Sequence, residues 1–300
     1  MAKQTATQNS QKRETGRSQQ LNTHFQTLKE LPFHFLNLNV SYKHELIICG
    51  GAYQRACYSY HTLKNEYAFV CEYPSDVSLW GHCVVKLVDS NSNKDKDNNQ
   101  ITLLSFGGEN RHTLVMKYVT INQKIKEIKQ IKQLQSMVTF TDNHNNPIII
   151  GRDNYDYRGA RALIDGINNN LLFITYKYDN ISVFDLNTFQ FIKHNQLPTD
   201  NNSIWYQCFV SKSENGQVQE MMKTNQKNQQ NYQMMLFCFK TGLSIEYNED
   251  TKTFLFQEIT VCDDIASLFT YAYVYVNDII LFFGGYSSTV VSNSVQKYSI

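Results

Sequence analysis

The stretch Leu46-Ile47-Ile48-Cys49-Gly50-Gly51 places a glycine pair directly after an apolar run, and this arrangement recurs twice along the chain. The other two copies end at Gly107-Gly108 and at Gly284-Gly285. A glycine pair suits a strand end that turns sharply with positive φ, or a place where another backbone packs closely. Apolar runs over 171–176 and 236–242 occupy the same context without the pair. Such self-similarity predicts a fold built from repeated units.

Aromatic residues add a second regular spacing to these units. A run that ends in an aromatic residue follows each apolar run, and in three units a second aromatic residue comes seven positions later: Tyr60 and Tyr67, Phe184 and Phe191, Tyr247 and Phe254. In the last two pairs Thr188 and Thr251 lie between the two aromatic residues, within Asp- or Asn-containing turns, so the spacing predicts tight hairpins. Three of the four prolines, Pro32, Pro74 and Pro198, follow an aromatic residue by seven positions. Because proline cannot continue a strand ladder, each of them indicates the end of a unit.

The repeated unit therefore predicts four antiparallel strands. We expect five units, at about residues 33–74, 81–141, 159–198, 204–260 and 270–300. One unit cannot cover its own apolar face, so several must stack, and radial stacking of four-stranded sheets gives a β-propeller. The predicted fold class is all-β, with about five to six blades. The number of blades stays open because residues 141–151 could form a further degenerate strand pair.

These features resemble the kelch repeat family. The glycine pairs, the aromatic spacing and the proline at the strand end match its pattern, and the stretch 81–85, Gly-His-Cys-Val-Val, is similar to a kelch first strand. The third and fourth units lack the glycine pair, and Tyr or Phe replaces the family's usual Trp. The resemblance implies a kelch-type propeller over residues 23–300. The polar composition of residues 1–22 predicts a disordered tail before it.

The last unit stops before its fourth strand, whereas a strand-like run over residues 24–31 precedes the first unit. We expect this run to complete the last blade by pairing with the C-terminal strand, because closure would remove two exposed sheet edges. The alternative is that the chain is a fragment whose next strand lies beyond Ile300.

Charge and apolar content limit the classes of partner and compartment. The 300 residues include 28 basic and 27 acidic side chains, so nucleic acid is not an expected partner. No apolar run reaches about 18 residues, so no membrane association is expected, and the first 20 residues lack the apolar core of a secretory signal. The seven cysteines form no CxxC motif. They predict small buried apolar side chains in a reducing, cytoplasmic compartment rather than disulfides or zinc ligands.

Propellers that resemble kelch proteins are mostly binding platforms, whose site lies in the loops at one end of the central channel. The predicted partner-binding residues come from such loops and from the polar, aromatic connection over 151–161: Arg55, Arg111, Tyr155, Tyr157, Arg158, Arg161, Tyr178 and Tyr286. The resemblance implies that Arg161, and less closely Arg158, correspond to kelch arginines that contact acidic partners. Arg and Tyr are enriched at interface hot spots. The alternative is a set of solvated loops with local Arg–Asp pairs that contribute little.

No sequence motif points to catalysis. The chain has no phosphate-binding glycine loop, HExxH or GxSxG motif, and no two of its eight histidines are four residues apart. We therefore predict a non-enzymatic scaffold that binds a protein or peptide, with no cofactor and no metal. The alternative is a galactose-oxidase-like or carbohydrate-binding propeller, although no motif locates the Tyr, His and Cys set of the copper oxidases. A degenerate copy without activity of its own is a third possibility.

Overall fold

The computed structural model describes residues 39–88, 100–120, 135–199, 204–212, 231–276, 278–287, 291–292 and 294–300. Within these ranges the chain forms five antiparallel sheets arranged as the blades of a β-propeller. The predicted all-β propeller is therefore confirmed. The expected tail over residues 1–22 and the expected strand over residues 24–31 lie outside the described residues.

Among the described residues, the first two blades contain eight strands. Blade 1 comprises β1 (Asn39–Tyr42), β2 (Glu45–Gly51), β3 (Gln54–His61) and β4 (Glu66–Glu72). Blade 2 comprises β5 (His82–Leu87), β6 (Gln100–Gly107), β7 (His112–Val119) and β8 (Val138–Thr139). In both sheets the strands lie in chain order.

The remaining blades repeat this arrangement. Blade 3 comprises β9 (Arg161–Asp165), β10 (Leu171–Tyr176), β11 (Asn180–Asp185) and β12 (Gln190–Gln196). Blade 4 comprises β13 (Cys208–Ser211), β14 (Asn231–Cys238), β15 (Thr241–Asn248) and β16 (Thr253–Glu258). Blade 5 comprises, among the described residues, β17 (Ala272–Val276), β18 (Ile279–Phe283) and β19 (Val295–Ser299), preceded by the helix α1 (Asp263–Ala266). No described helix is long and apolar enough to cross a bilayer.

The aromatic spacing of the sequence arises from cross-strand pairing. Tyr60 lies opposite Tyr67 with ring centroids 4.8 Å apart, and Tyr247 lies opposite Phe254 at 4.8 Å. Phe184 faces Phe191 in the same way at 5.0 Å. The hairpins predicted from the spacing are therefore confirmed. Each such pair stabilises its sheet by about 0.2–1 kcal/mol.

Strand burial follows from the position of each strand in its blade. All six residues of β10 are buried, because neighbouring blades cover both faces of this inner strand. Its mostly apolar sequence, Leu-Leu-Phe-Ile-Thr-Tyr, rather than an alternating one, reflects that two-sided burial. The outermost strand β12 is only half-buried and carries more polar residues.

The hydrophobic core lies between consecutive blades. Separate clusters fill the boundaries of blades 1 and 2, 2 and 3, 3 and 4, and 4 and 5. At the third boundary, fully buried Phe173 packs edge-to-face on Tyr247 with ring centroids 5.2 Å apart. The first strand of each blade contacts the first strand of the next, so these strands surround the propeller axis.

Candidate functional site at the loop face

Loops from every blade meet at one end of the propeller, which we call the loop face. Since the strands alternate in direction, the loop after each second strand lies at the same end as the connection into the next blade. At Gly107-Gly108 both φ angles are positive, at 78° and 75°, as the glycine pair in the sequence predicts. The loop face therefore gathers segments that are distant in sequence around the channel mouth.

A chain of backbone hydrogen bonds joins three of the connections between blades. The Gly159 amide donates to the Gly81 carbonyl at 2.7 Å, and the Tyr206 amide donates to the Gly159 carbonyl at 2.9 Å. Gly81 has φ +69°, and a Cβ added there would lie 2.5 Å from the Gly159 nitrogen. Only glycine fits this contact, so the connections form a fixed platform.

A row of alternating aromatic and charged side chains crosses this platform. The Arg158 guanidinium lies 5.9 Å from the Trp80 ring centroid, and the Lys177 ammonium lies 5.1 Å from the Trp205 ring centroid. Asp156 joins the two cations, with its Oδ2 atom 2.7 Å from Arg158 Nη2 and 3.0 Å from Lys177 Nζ. Burial acts to raise the pKa of Asp156, but hydrogen bonds from both cations outweigh it and hold that pKa at about 2.

Exposed aromatic rings surround this row. Tyr53 is 62% exposed and contacts the Trp80 ring with centroids 5.6 Å apart, while Trp80 itself is 37% exposed. Trp205 is 44% exposed and lies 5.8 Å from the ring of Tyr206. Exposed large aromatics beside cations are typical of interaction surfaces.

Arg161, the first residue of β9, is a buried cation with no ion-pair partner among the described residues. Its side chain is only 8% exposed, and Nη1 donates to the Ala160 carbonyl at 3.2 Å. The guanidinium lies 5.4 Å from the Tyr206 ring centroid, and its Nε atom has no hydrogen-bond partner. Among the described residues no carboxylate lies within salt-bridge distance of Arg161. Burying a charge without an ion-pair partner is costly, so this position favours an incoming anion.

Unpartnered acceptor atoms lie close to Arg161. The Gln207 amide donates to Thr175 Oγ1 at 2.6 Å, on the residue paired with Arg161 across the sheet, while Gln207 Oε1 is buried without a partner. Asp179 Oδ1 is also buried without a partner. Asp179 and Arg161 both act electrostatically on Cys238, whose pKa is raised to about 11, chiefly by burial. The channel mouth thus has unpartnered donor and acceptor atoms.

Tyr157 requires a correction to the predicted contact surface. It is fully buried and stacks on Tyr176 with ring centroids 4.3 Å apart, and its hydroxyl accepts a hydrogen bond from the Arg152 amide. It therefore supports the loop face from below and has no surface to offer a partner. Tyr155 is half-buried against Tyr176 and His194.

The other predicted residues are distributed around the loop face. Tyr178 is exposed beside Lys177, in the same loop of blade 3. Arg111 is exposed and pairs with Asp153 at 3.6 Å, and Tyr286, in the corresponding loop of blade 5, is 49% exposed.

Arg55, in blade 1, already has partners. It approaches Glu72 at 3.7 Å and donates to the Tyr73 carbonyl at 3.1 Å. In this respect it differs from Arg161, which is buried and has no carboxylate partner among the described residues.

Sequence reasoning missed the two tryptophans, the carboxylate of Asp156 and Lys177. Trp80 and Trp205 are the two tryptophans of the chain, and each comes shortly before the first strand of a blade. That shared position in the sequence could have identified both tryptophans as residues of the loop face. The charge row had no comparable signal, because its members belong to different connections and loops.

Comparison with known proteins identifies no relative by sequence. No protein-family model and no curated protein matches the chain. Among solved structures, the computationally designed Ika8 protein is similar with a TM-score of 0.39 at 11% identity, over 87% of this chain and 70% of that one. A structure titled "Glycoside hydrolase" has a TM-score of 0.39 at 9% identity, over 88% of this chain and 59% of that one. Neither likeness assigns a function.

Proposed function

We propose that this protein is a kelch-type propeller that acts in the cytoplasm as a non-enzymatic scaffold, binding an acidic segment of a partner protein at its loop face. The observation that carries the proposal is Arg161, a buried guanidinium with an unpartnered Nε atom and no carboxylate within salt-bridge distance among the described residues. A carboxylate of the partner would compensate this charge. All seven cysteines are free, in keeping with a reducing compartment.

The surroundings of Arg161 support a peptide-sized ligand. Tyr53, Trp80 and Trp205 offer apolar contact area with little loss of side-chain entropy. Arg158 and Lys177 already form ion pairs with Asp156. We therefore assign them to orienting the ligand and accelerating its association, and assign the main polar contact to Arg161.

A peptide selection tests this assignment. The full-length protein is immobilised and used to select binders from a phage-displayed random peptide library, and the Kd of each selected peptide is then measured. We expect enrichment of Asp and Glu. Arg161→Met should weaken these peptides by roughly 30-fold or more, because truncating one partner of a buried charge pair costs about 2–5 kcal/mol. Arg161→Lys should recover little of the lost affinity, since an ammonium lacks the planar guanidinium fork.

Arg55→Met is the matched control, because it removes a loop-face arginine that already pairs with Glu72. We expect this variant to bind the selected peptides like the parent. Circular dichroism verifies that all three variants fold. Selected peptides without acidic enrichment, or equal affinity for the parent and a folded Arg161→Met variant, would contradict the proposal.

The exposed rings support a second candidate, a carbohydrate-binding propeller, because flat aromatic surfaces stack on sugar rings. Tyr53 with Trp80 forms one such surface, and Trp205 forms another. A glycan array screened with the parent and with Trp80→Ala tests this alternative. Glycan binding that is lost on Trp80→Ala and kept on Arg161→Met would favour it over peptide binding.

A further inference from the structure

Three cysteines occupy paired positions on three neighbouring strands of blade 1. Cys49 on β2 lies opposite Cys57 on β3, and Cys57 lies opposite Cys71 on β4. All three side chains belong to, or pack against, the cluster between blades 1 and 2. From the facing blade, Met116 on β7 places its sulfur 3.3 Å from the Cys71 sulfur. We propose that Cys57, Cys71 and Met116 form a binding site for a soft monovalent metal ion of the copper(I) class.

The spacing of the sulfur atoms suits a shared ion. Metal–thiolate bonds of about 2.3 Å keep two sulfurs bound to one ion within about 4.6 Å of each other. The 3.3 Å separation of Cys71 Sγ and Met116 Sδ satisfies this limit. Cys57 lies directly opposite Cys49 on one side and Cys71 on the other, and its thiol is hydrogen-bonded with both of theirs. The site thus joins two blades across their apolar boundary.

The donor set selects the class of metal. Among the described residues no group of three or more His, Cys, Asp or Glu side chains is placed to hold a metal ion, so these residues make no zinc site of the usual kind. Here the third ligand is a thioether, and thiolate with thioether favours copper(I) over zinc, calcium or magnesium.

The surroundings of the site allow loading and then exclude water. Cys71 lies on the outermost strand and is partly exposed, which gives an ion a route inwards. Cys57 is fully buried, and Met116 is as well. Since the thiols must lose protons to bind the ion, loading releases protons and becomes stronger as pH rises.

The test is an anaerobic titration of the reduced full-length protein with copper(I), in competition with a chromophoric copper(I) chelator. We expect one tightly held ion per chain and ultraviolet absorption from thiolate-to-copper charge transfer. Cys57→Ala and Cys71→Ala should each weaken binding at least tenfold. Met116→Leu conserves volume and keeps both thiols, so its weaker binding would identify the thioether as a ligand.

Two control variants separate this site from general thiol binding. Cys208 is buried in blade 4, and Cys262 is exposed. Cys208→Ala and Cys262→Ser should both keep the parent affinity. Equal losses in these controls, or parent affinity in a folded Met116→Leu variant, would overturn the proposal. Failure of the reduced parent to compete with the chelator would do so as well.

Discussion

The burial of two histidines leads us to expect that the protein loses stability as pH falls from 8 to 5. His82 is fully buried and donates from Nε2 to the Cys49 carbonyl at 2.8 Å. His112 is buried beside it, with Nε2 hydrogen-bonded to Ser105 Oγ at 2.8 Å and the two ring centroids 5.6 Å apart. Burial lowers the pKa of His82 to about 4. Burial, and then the nearby charge of His82, lower the pKa of His112 to about 3.

The sign and size of the effect follow from proton linkage. In the unfolded chain both histidines titrate near about 6.5. Between that pH and the lower pKa values of the folded state, the unfolded chain binds more protons, so the free energy of unfolding falls as pH falls. Relative to pH 8, each histidine removes about 2 kcal/mol by pH 5. The combined loss of about 4 kcal/mol is a large part of a typical total of about 5–15 kcal/mol.

Urea denaturation followed by far-ultraviolet circular dichroism at several pH values between 8 and 5 measures this loss. Acidic side chains titrate mainly below this window, near about pH 4. His194, whose pKa is lowered chiefly by partial burial, adds a smaller loss of the same sign. His82→Gln and His112→Gln can each place an amide where Nε2 lies without titrating, so each should remove about half of the loss. An unchanged free energy of unfolding in the parent across this range would refute the reasoning, as would a full loss in both variants.

Three further substitutions have defined expected effects on the free energy of unfolding, each measured by urea denaturation at pH 8. Gly81→Ala should lower the free energy of unfolding by roughly 2 kcal/mol or more, because its Cβ would lie 2.5 Å from the Gly159 nitrogen at φ +69°. A loss below about 0.5 kcal/mol would contradict this. Phe173→Ala should cost about 3–5 kcal/mol by leaving a cavity between blades 3 and 4, and a stability equal to the parent would count against the assigned core. Arg161→Met should leave stability unchanged or raise it by about 1–2 kcal/mol, since it removes a buried charge that has no carboxylate partner among the described residues; marked destabilisation would indicate that Arg161 is structurally compensated.

The blades could be predicted from sequence because their signals are local. Tyr60 and Tyr67 are seven positions apart in sequence and directly opposite in space, since one tight hairpin joins their strands. The glycine pairs likewise mark a backbone conformation that depends on the residue itself. The pattern also predicted that the units stack, because one unit alone leaves its apolar face uncovered.

The candidate site was predicted only in part. Arg158 and Arg161 were identified by position, but the burial of Tyr157 was not, because polar and apolar roles of a loop tyrosine look the same in sequence. Trp80 and Lys177 were not identified, since their partners come from other connections. Nothing local in the chain shows which loops will meet.

The sequence by itself determined the all-β class, the strands and hairpins of each unit, and the stacking of those units, because backbone conformation and strand pairing depend on residues close in the chain. Only the tertiary structure decided that Arg161 is buried without a carboxylate partner among the described residues. It also decided that Asp156 pairs with Arg158 and Lys177 instead. Charge pairing depends on distance in space, and at the loop face the packing of whole blades sets that distance.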